Sequence, residues 1–299
     1  LPGYRVNPEP PSSVYEAVAR ATLEVVDEGI EQGIRIAFDV LPNTTDGAIP
    51  IPYLVSLLGP WVRDAGSPAR LAELLAAPDY EAEIREKITG GEWYMLNPHL
   101  NPSWAENISI LQCEDSRLEG RSVADIAREA GCDPLDAFFD LVRDHPLARV
   151  LACMFDDREA AMRVFLDHPR CSVCTDTFIV DDQWESQYPP YFLAHPNTFG
   201  AFPRYLSGYM KPTMEESLTR ITSRPARALG LSDRGVLSEG AFADVVVFDA
   251  ENITEKADFL EPRQYPEGIR WVIVNGKVVV EGGVQRDVRP GRVLRHPGA

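Results

Sequence analysis

Positive charge is scarce in this sequence. Its 29 Lys and Arg stand against 46 Asp and Glu, a formal net charge of −17. Nucleic acid and anionic lipid surfaces are held by dense Lys and Arg, so this balance argues against both as partners. Long apolar runs are missing too, and nothing approaches the about 20 residues of a membrane span. Cysteine is sparse and odd in number, five in 299 residues. That fits a reduced, cytoplasmic chain better than a disulfide framework. Cys171 and Cys174 form a lone C-x-x-C. A zinc ribbon needs a second pair, and a redox motif opens a helix, whereas this one lies in a strand-like run. The pair reads as buried thiols.

What is present is ordinary globular composition, 44% hydrophobic and 25% charged. It suffices for one large core and a smaller one. "PSSVYEAVARATLEVVDEGIEQG" predicts a helix, with Ser13 and Glu16 as a capping box and Val14, Val18, Ala21 and Val25 on one face. Gly33 ends it and "IRIAFDVLP" predicts a short buried strand running to Pro42. Helix, glycine, strand and loop are the grammar of a βα repeat, which carries its chemistry at the C-terminal ends of its strands. Asp39 and the loop 42–47 are therefore expected near a site.

A stretch of nearly a hundred residues follows, too long for one βα loop. It predicts helices in "ARLAELLAAPDYEAEIREKI", "SVADIAREAG" and "DPLDAFFDLVRD" and reads as an insertion. "ARVLACMF" (148–155) and "CSVCTD" (171–176) predict strands around the helix "DREAAMRVFLDH". "TMEESLTRITSRPARALGL" predicts helices opened by Thr213 and Glu216. From about Asp233 the chain turns to short Val-rich strands between glycines. Asn275-Gly276 marks a type I′ hairpin.

"GVLSEGAFADVVVFD" followed by "IRWVIVNGKVVVEGG" resembles the C-terminal β-sandwich segment of the amidohydrolase superfamily. "HPNTFGAFPRYL" (195–206), "ITSRPARALGLSDRG" (221–235) and "RSVADIAREAGCDPLDAFFDLV" (121–142) resemble its N-acyl-D-amino-acid deacylase branch. The resemblance implies an α/β fold: the C-terminal part of a (β/α)8 TIM-type barrel over 1–232, a helical insertion at about 48–147, and a β-sandwich segment over 233–299. It implies a divalent metal, zinc, as one or two ions, and a small-molecule amide substrate. It makes Asp176 of "CTDT" both metal ligand and catalytic proton carrier. The family's "GSDG" is here replaced by Cys174, Thr175, Asp176 and Thr177.

The same resemblance places substrate contacts at Asn43, His195 and Asn197. The family's tyrosine stands where this chain has Asn43, and its arginine where this chain has Asn197. Losing an arginine fork removes a bidentate carboxylate partner, so substrate choice is expected to move away from free-acid N-acyl-D-amino acids. The family's H-x-H pair has no counterpart among His99, His145, His168, His195 and His296. Aligned by its pattern, the chain lacks the first five or six barrel strands. The chain also opens on Leu1 rather than Met. The expectation is a heteromer or divided polypeptide, completed by a complementary N-terminal amidohydrolase chain or segment and poorly soluble alone. The alternative is a non-catalytic scaffold homologue that has lost the metal site. His168 is expected to cap a helix end, and Arg204 and Asp244 to serve structural pairs.

Overall fold

The computed structural model describes residues 11–42, 48–51, 53–93, 96–153, 159–177, 194–209 and 213–295. The chain folds into two compact units. The described residues within 45–157, with Ala194 and His195, form the first, and those within 11–44, 158–178 and 196–299 form the second.

The second unit begins the described chain with helix α1 (Ser12–Glu31). The Ser13–Glu16 capping box does not form: the helix is capped two residues earlier, at Pro11, with no side-chain cap. Proline's fixed φ starts the turn by itself. Gly33 at φ 84° ends the helix, and strand β1 (Phe38–Val40) follows. The expected inward face is a second departure. Val14, Val18 and Val25 are 45%, 45% and 68% exposed, and Ala19 is the buried residue of the helix.

The first unit opens with β2 (Ala48–Ile51), then a 3-10 turn (Leu54–Leu58), α2 (Gly59–Ala65), α3 (Pro68–Leu74) and α4 (Pro78–Thr89). It continues through α5 (Trp104–Asn107), β3 (Ile108–Gln112), α6 (Val123–Ala130), α7 (Pro134–Asp144) and β4 (Arg149–Cys153). The helix boundaries follow from local chemistry. Ser122 and Asp125 form a capping box at α6, and Gly131 at φ 68° closes it. The Asp133 side chain accepts from the Leu135 amide at 2.8 Å, and Pro134 occupies the first turn of α7. Leu57, Leu71, Ile88, Phe138 and Phe139 are fully buried in one core. Each large side chain so buried contributes about 1.5–3 kcal/mol. The apolar run at 148–155 supplies β4, which pairs antiparallel with β2 on one side and β3 on the other.

The second unit resumes with α8 (Glu159–Asp167) and β5 (Cys171–Val173). β5 lies parallel to β1, with Asp39 opposite Ser172 and Val40 opposite Val173. α9 (Asn197–Gly208), α10 (Met214–Ile221) and α11 (Ser223–Ala228) follow. The Thr213 hydroxyl caps α10 by accepting from the Glu216 amide at 3.2 Å. Phe38, Cys171 and Val173 pack with Met162, Leu166 and Tyr205. Arg220, 2% exposed, donates to the Leu166 carbonyl and, at 3.1 Å, to the His168 carbonyl. A cation thereby satisfies the free carbonyls where α8 ends, just before β5 starts.

The chain ends in an antiparallel sheet of β6 (Val245–Phe248), β7 (Ile269–Val274), β8 (Lys277–Glu281) and β9 (Val284–Gln285), in that order. The expected hairpin is there: Asn275 and Gly276 have φ 48° and 77° between β7 and β8, as a type I′ turn requires. Gly268, at φ 86°, brings the backbone so close to Ile253 that a Cβ would lie 2.6 Å from its Cα. The fold is α/β, as the sequence implied. Among the described residues no helix is long and apolar enough to cross a membrane.

Candidate functional site

The parallel pair β1–β5 sorts its side chains by alternation. Cys171 and Val173 turn into the packed core, whereas Asp39 is exposed. The chain then leaves β5 without leaving the ladder, because the Cys174 amide still donates to the Val40 carbonyl at 3.2 Å. This puts Cys174 beside Asp39 at the C-terminal end of the pair. The thiol hydrogen-bonds the Asp39 carboxylate and is approached by the backbone amide of Asp176. Burial comes first, then the charge and hydrogen bond of Asp39 and the charge of Asp176, in pushing the Cys174 thiol up to about 12. It is a neutral donor at ordinary pH, not a thiolate.

Asp176 follows at once and is exposed, with φ 44°. That is left-handed backbone, which costs a non-glycine residue about 1–2 kcal/mol. Aspartate visits this region more readily than most residues. Cys174, two residues earlier, feels both the Asp39 carboxylate and the Asp176 backbone amide. The result is an exposed carboxylate presented at the end of a parallel strand.

The other expected site residues fall as follows. Asn197 is 3% exposed at the first position of α9, in the same unit as Asp176. The next residue, Thr198, carries a buried hydroxyl with no partner among the described residues. His195 is half-buried and belongs to the first unit. Asn43 lies outside the described residues, and so does His296. His168 has both ring nitrogens engaged, Nδ1 accepting from the Arg170 amide at 3.1 Å and Nε2 facing Asp27 Oδ1 at 3.0 Å. It ties the turn after α8 to α1 rather than capping the helix, whose end carbonyl is taken by Arg220. Arg204 pairs with Glu255, and Asp244 pairs with Arg234 and accepts from the Asn275 amide at 2.8 Å. Cys171 is buried and free, and burial pushes its thiol up to about 12.

Among the described residues no group of three or more His, Cys, Asp or Glu could hold a metal ion. Asp176 offers one open carboxylate, while Asp39 and Cys174 spend polar atoms on each other. These residues do not by themselves fit the shell of about four donors that zinc requires.

The part played by Cys174 was not read from the sequence, where Cys171 and Cys174 stood alike as buried thiols. The signal was the alternation itself, which puts Asp39 and Cys174 on one side of the pair and Cys171 on the other.

Residues 195–280 match the model of the amidohydrolase family. An N-acyl-D-glutamate deacylase of Alcaligenes xylosoxydans xylosoxydans is 36% identical over 180 residues, 59% of this chain and 33% of that protein. An N-acyl-D-aspartate deacylase of the same organism is 31% identical over 179 residues, 58% of this chain and 33% of that protein. Among solved structures, the N-acyl-D-glutamate deacylase of Bordetella bronchiseptica, complexed with zinc and a phosphonate inhibitor, superposes with TM-score 0.54 and 29% identity. It matches 93% of this chain, which covers 46% of it. A D-aminoacylase with a binuclear metal centre superposes with TM-score 0.55 at 23% identity, a likeness of fold alone, with the same coverage. The chain thus spans about a third of the curated relatives it matches and about half of the solved ones.

Proposed function

We propose, for a chain that resembles the C-terminal portion of the N-acyl-D-amino-acid deacylases of the amidohydrolase superfamily, that it forms the C-terminal part of a (β/α)8-type barrel. In this reading β1 and β5 are its last two strands, and an N-terminal segment, on this polypeptide or a second one, supplies the rest. The assembled protein is a cytoplasmic, metal-dependent hydrolase of small-molecule amides. The observation that carries this is Asp176: an exposed carboxylate in left-handed backbone at the C-terminal end of a parallel strand. Strand ends of this kind are where such barrels keep their chemistry, and strained backbone persists where a site needs it.

A divalent ion, zinc as in the Bordetella relative, supplies Lewis acidity and an acidified water when bound. Asp176 would be one of its oxygen donors, the others coming from the N-terminal segment. Its carboxylate would take a proton from the attacking water and return it to the departing amine. Cys174 stays a neutral thiol beside it. With Asn197 where the relatives' pattern has arginine, the substrate carboxylate loses a guanidinium partner. Amides without a free α-carboxylate are then the better substrates.

The experiment is metal analysis and amide hydrolysis on the assembled protein, wild type and Asp176→Asn. Stoichiometric zinc and a loss of about 10²–10⁴ in kcat are expected. Equal activity of the two would end the proposal. A metal-free, inactive wild type would favour the non-catalytic scaffold.

A further inference from the structure

At the N-terminal end of the β1–β5 pair, away from Asp176, lies a cavity of about 500 Å³. It belongs wholly to the second unit. Four arginines line it, Arg35, Arg170, Arg224 and Arg227, together with Ser172. Arg35 lies on the approach to β1 and Arg170 immediately precedes β5, while Arg224 and Arg227 stand three residues apart on α11, one face of that helix.

The chain has 46 acidic residues against 29 basic ones, and many arginines elsewhere sit on carboxylates. Arg85 meets Asp136 at 2.6 Å, Arg270 meets Asp249 at 2.8 Å, and Arg143, Arg204 and Arg234 are paired as well. The cavity instead gathers arginines that are mostly without such partners. Arg224 donates to the Cys171 carbonyl at 3.3 Å and reaches Glu216 only at 3.7 Å. Arg227 donates to the Ser223 carbonyl at 3.2 Å. Among the described residues none of Arg35, Arg170 and Arg227 has an ion-pair partner. Gathered like charges repel, and a guanidinium fork is shaped for a carboxylate.

Two observations in the same unit say that the occupant is polypeptide rather than a free ion. The parallel pair has two strands among the described residues, and parallel sheets are stable when strands flank them and both faces are covered. The apolar stripe of α1, Val14, Val18 and Val25, is exposed, and so is Ile34 at 55%. We propose that the cavity seats an Asp or Glu side chain carried by the N-terminal segment that completes the sheet beside β1 and β5. This rests on the reading above that such a segment completes the protein.

The test compares the wild-type chain with Arg35→Gln/Arg227→Gln in binding the N-terminal segment by titration calorimetry at low and high salt. Affinity is expected to fall about 30-fold or more in the variant, with a shallower salt dependence. A parallel titration uses inorganic phosphate. The chain alone should bind it, the double variant should not, and the assembled protein should not because the seat is filled. Unchanged affinity in the double variant would overturn the proposal. So would phosphate binding that survives assembly, which marks a free-anion site, or a wild-type chain that does not bind the segment. Asp176→Asn separates the two ideas: it should assemble like wild type and lose hydrolysis. Should Asp176→Asn keep full activity while the double variant still assembles weakly, the catalytic reading fails and the seat stands.

Discussion

Replacing Asp176 by glycine and by alanine isolates the backbone from the carboxylate. In the proposed reading both variants delete the carboxylate that relays the proton, so the assembled protein should be inactive with either. They should part in stability. At φ 44° alanine retains the Cβ clash and pays about 1–2 kcal/mol. Glycine escapes that cost but gives back about 0.4–1 kcal/mol through its freer unfolded chain. The difference favours glycine by about 0.5–1 kcal/mol. Two compact units need not unfold together, so a global melt is the wrong probe. Hydrogen exchange of a peptide covering 168–177 reads the locality directly, through amides such as that of Cys174, which bonds the Val40 carbonyl at 3.2 Å. A free-energy gap of about 1 kcal/mol is about fivefold in exchange rate, slower in the glycine variant. Equal exchange, or slower exchange in alanine, would mean that the chain at 176 is not left-handed. The account of a carboxylate carried on strained backbone would then fall.

The thiols provide an independent check. Cys171 and Cys174 are both raised from 9.0 to about 12, burial being the first cause in each. Alkylation near pH 8 should therefore spare both and label Cys113 and Cys132 first, as mapped by mass spectrometry. A folded-state value above the unfolded one protects the native state below pH 9, and that protection is lost as pH rises from about 9 towards 12, visible as a falling urea midpoint. Gly268→Ala puts a Cβ 2.6 Å from the Ile253 Cα at φ 86°, a backbone clash that should cost about 2–4 kcal/mol in denaturant titration. Phe138→Ala empties a fully buried position in the first unit's core and should cost about 3–5 kcal/mol, read as early loss of exchange protection in α7.

What was legible in the sequence was local. The two helices after Ser122 and Asp133 were readable because caps and terminators sit at fixed offsets from them. The hairpin at Asn275-Gly276 was readable because two successive positive φ values admit few residue pairs. The Ser13–Glu16 box failed for the reason that makes such signals only local: Pro11 had already fixed the entry to α1 two residues upstream. The pairing of strands was not legible. Residues 149–153 look like any buried strand, and nothing in them says that they join β2 and β3 antiparallel rather than a parallel neighbour. Asp176 could be placed at a strand end, but its left-handed backbone could not, because aspartate adopts ordinary backbone as readily and no local motif demands a positive φ there.

The stripe on α1 carries the reasoning one step further. Its period announces burial, yet Val14, Val18 and Val25 remain exposed. Periodicity encodes that a face will be covered and says nothing of which chain covers it. Exposed apolar residues singly need no explanation, but three of them in helical register, in the same unit as a parallel pair that has two strands and arginines that have no ion pair among the described residues, point the same way three times. Hydrophobic surface, strand hydrogen bonds and positive charge are satisfied by different chemistries. A single polypeptide segment supplies all three at once, whereas no ion or small ligand does. On that ground the ligands Asp176 lacks and the carboxylate the arginine cavity lacks should arrive on one chain, so that titrating the segment restores metal binding and quenches phosphate binding with the same midpoint.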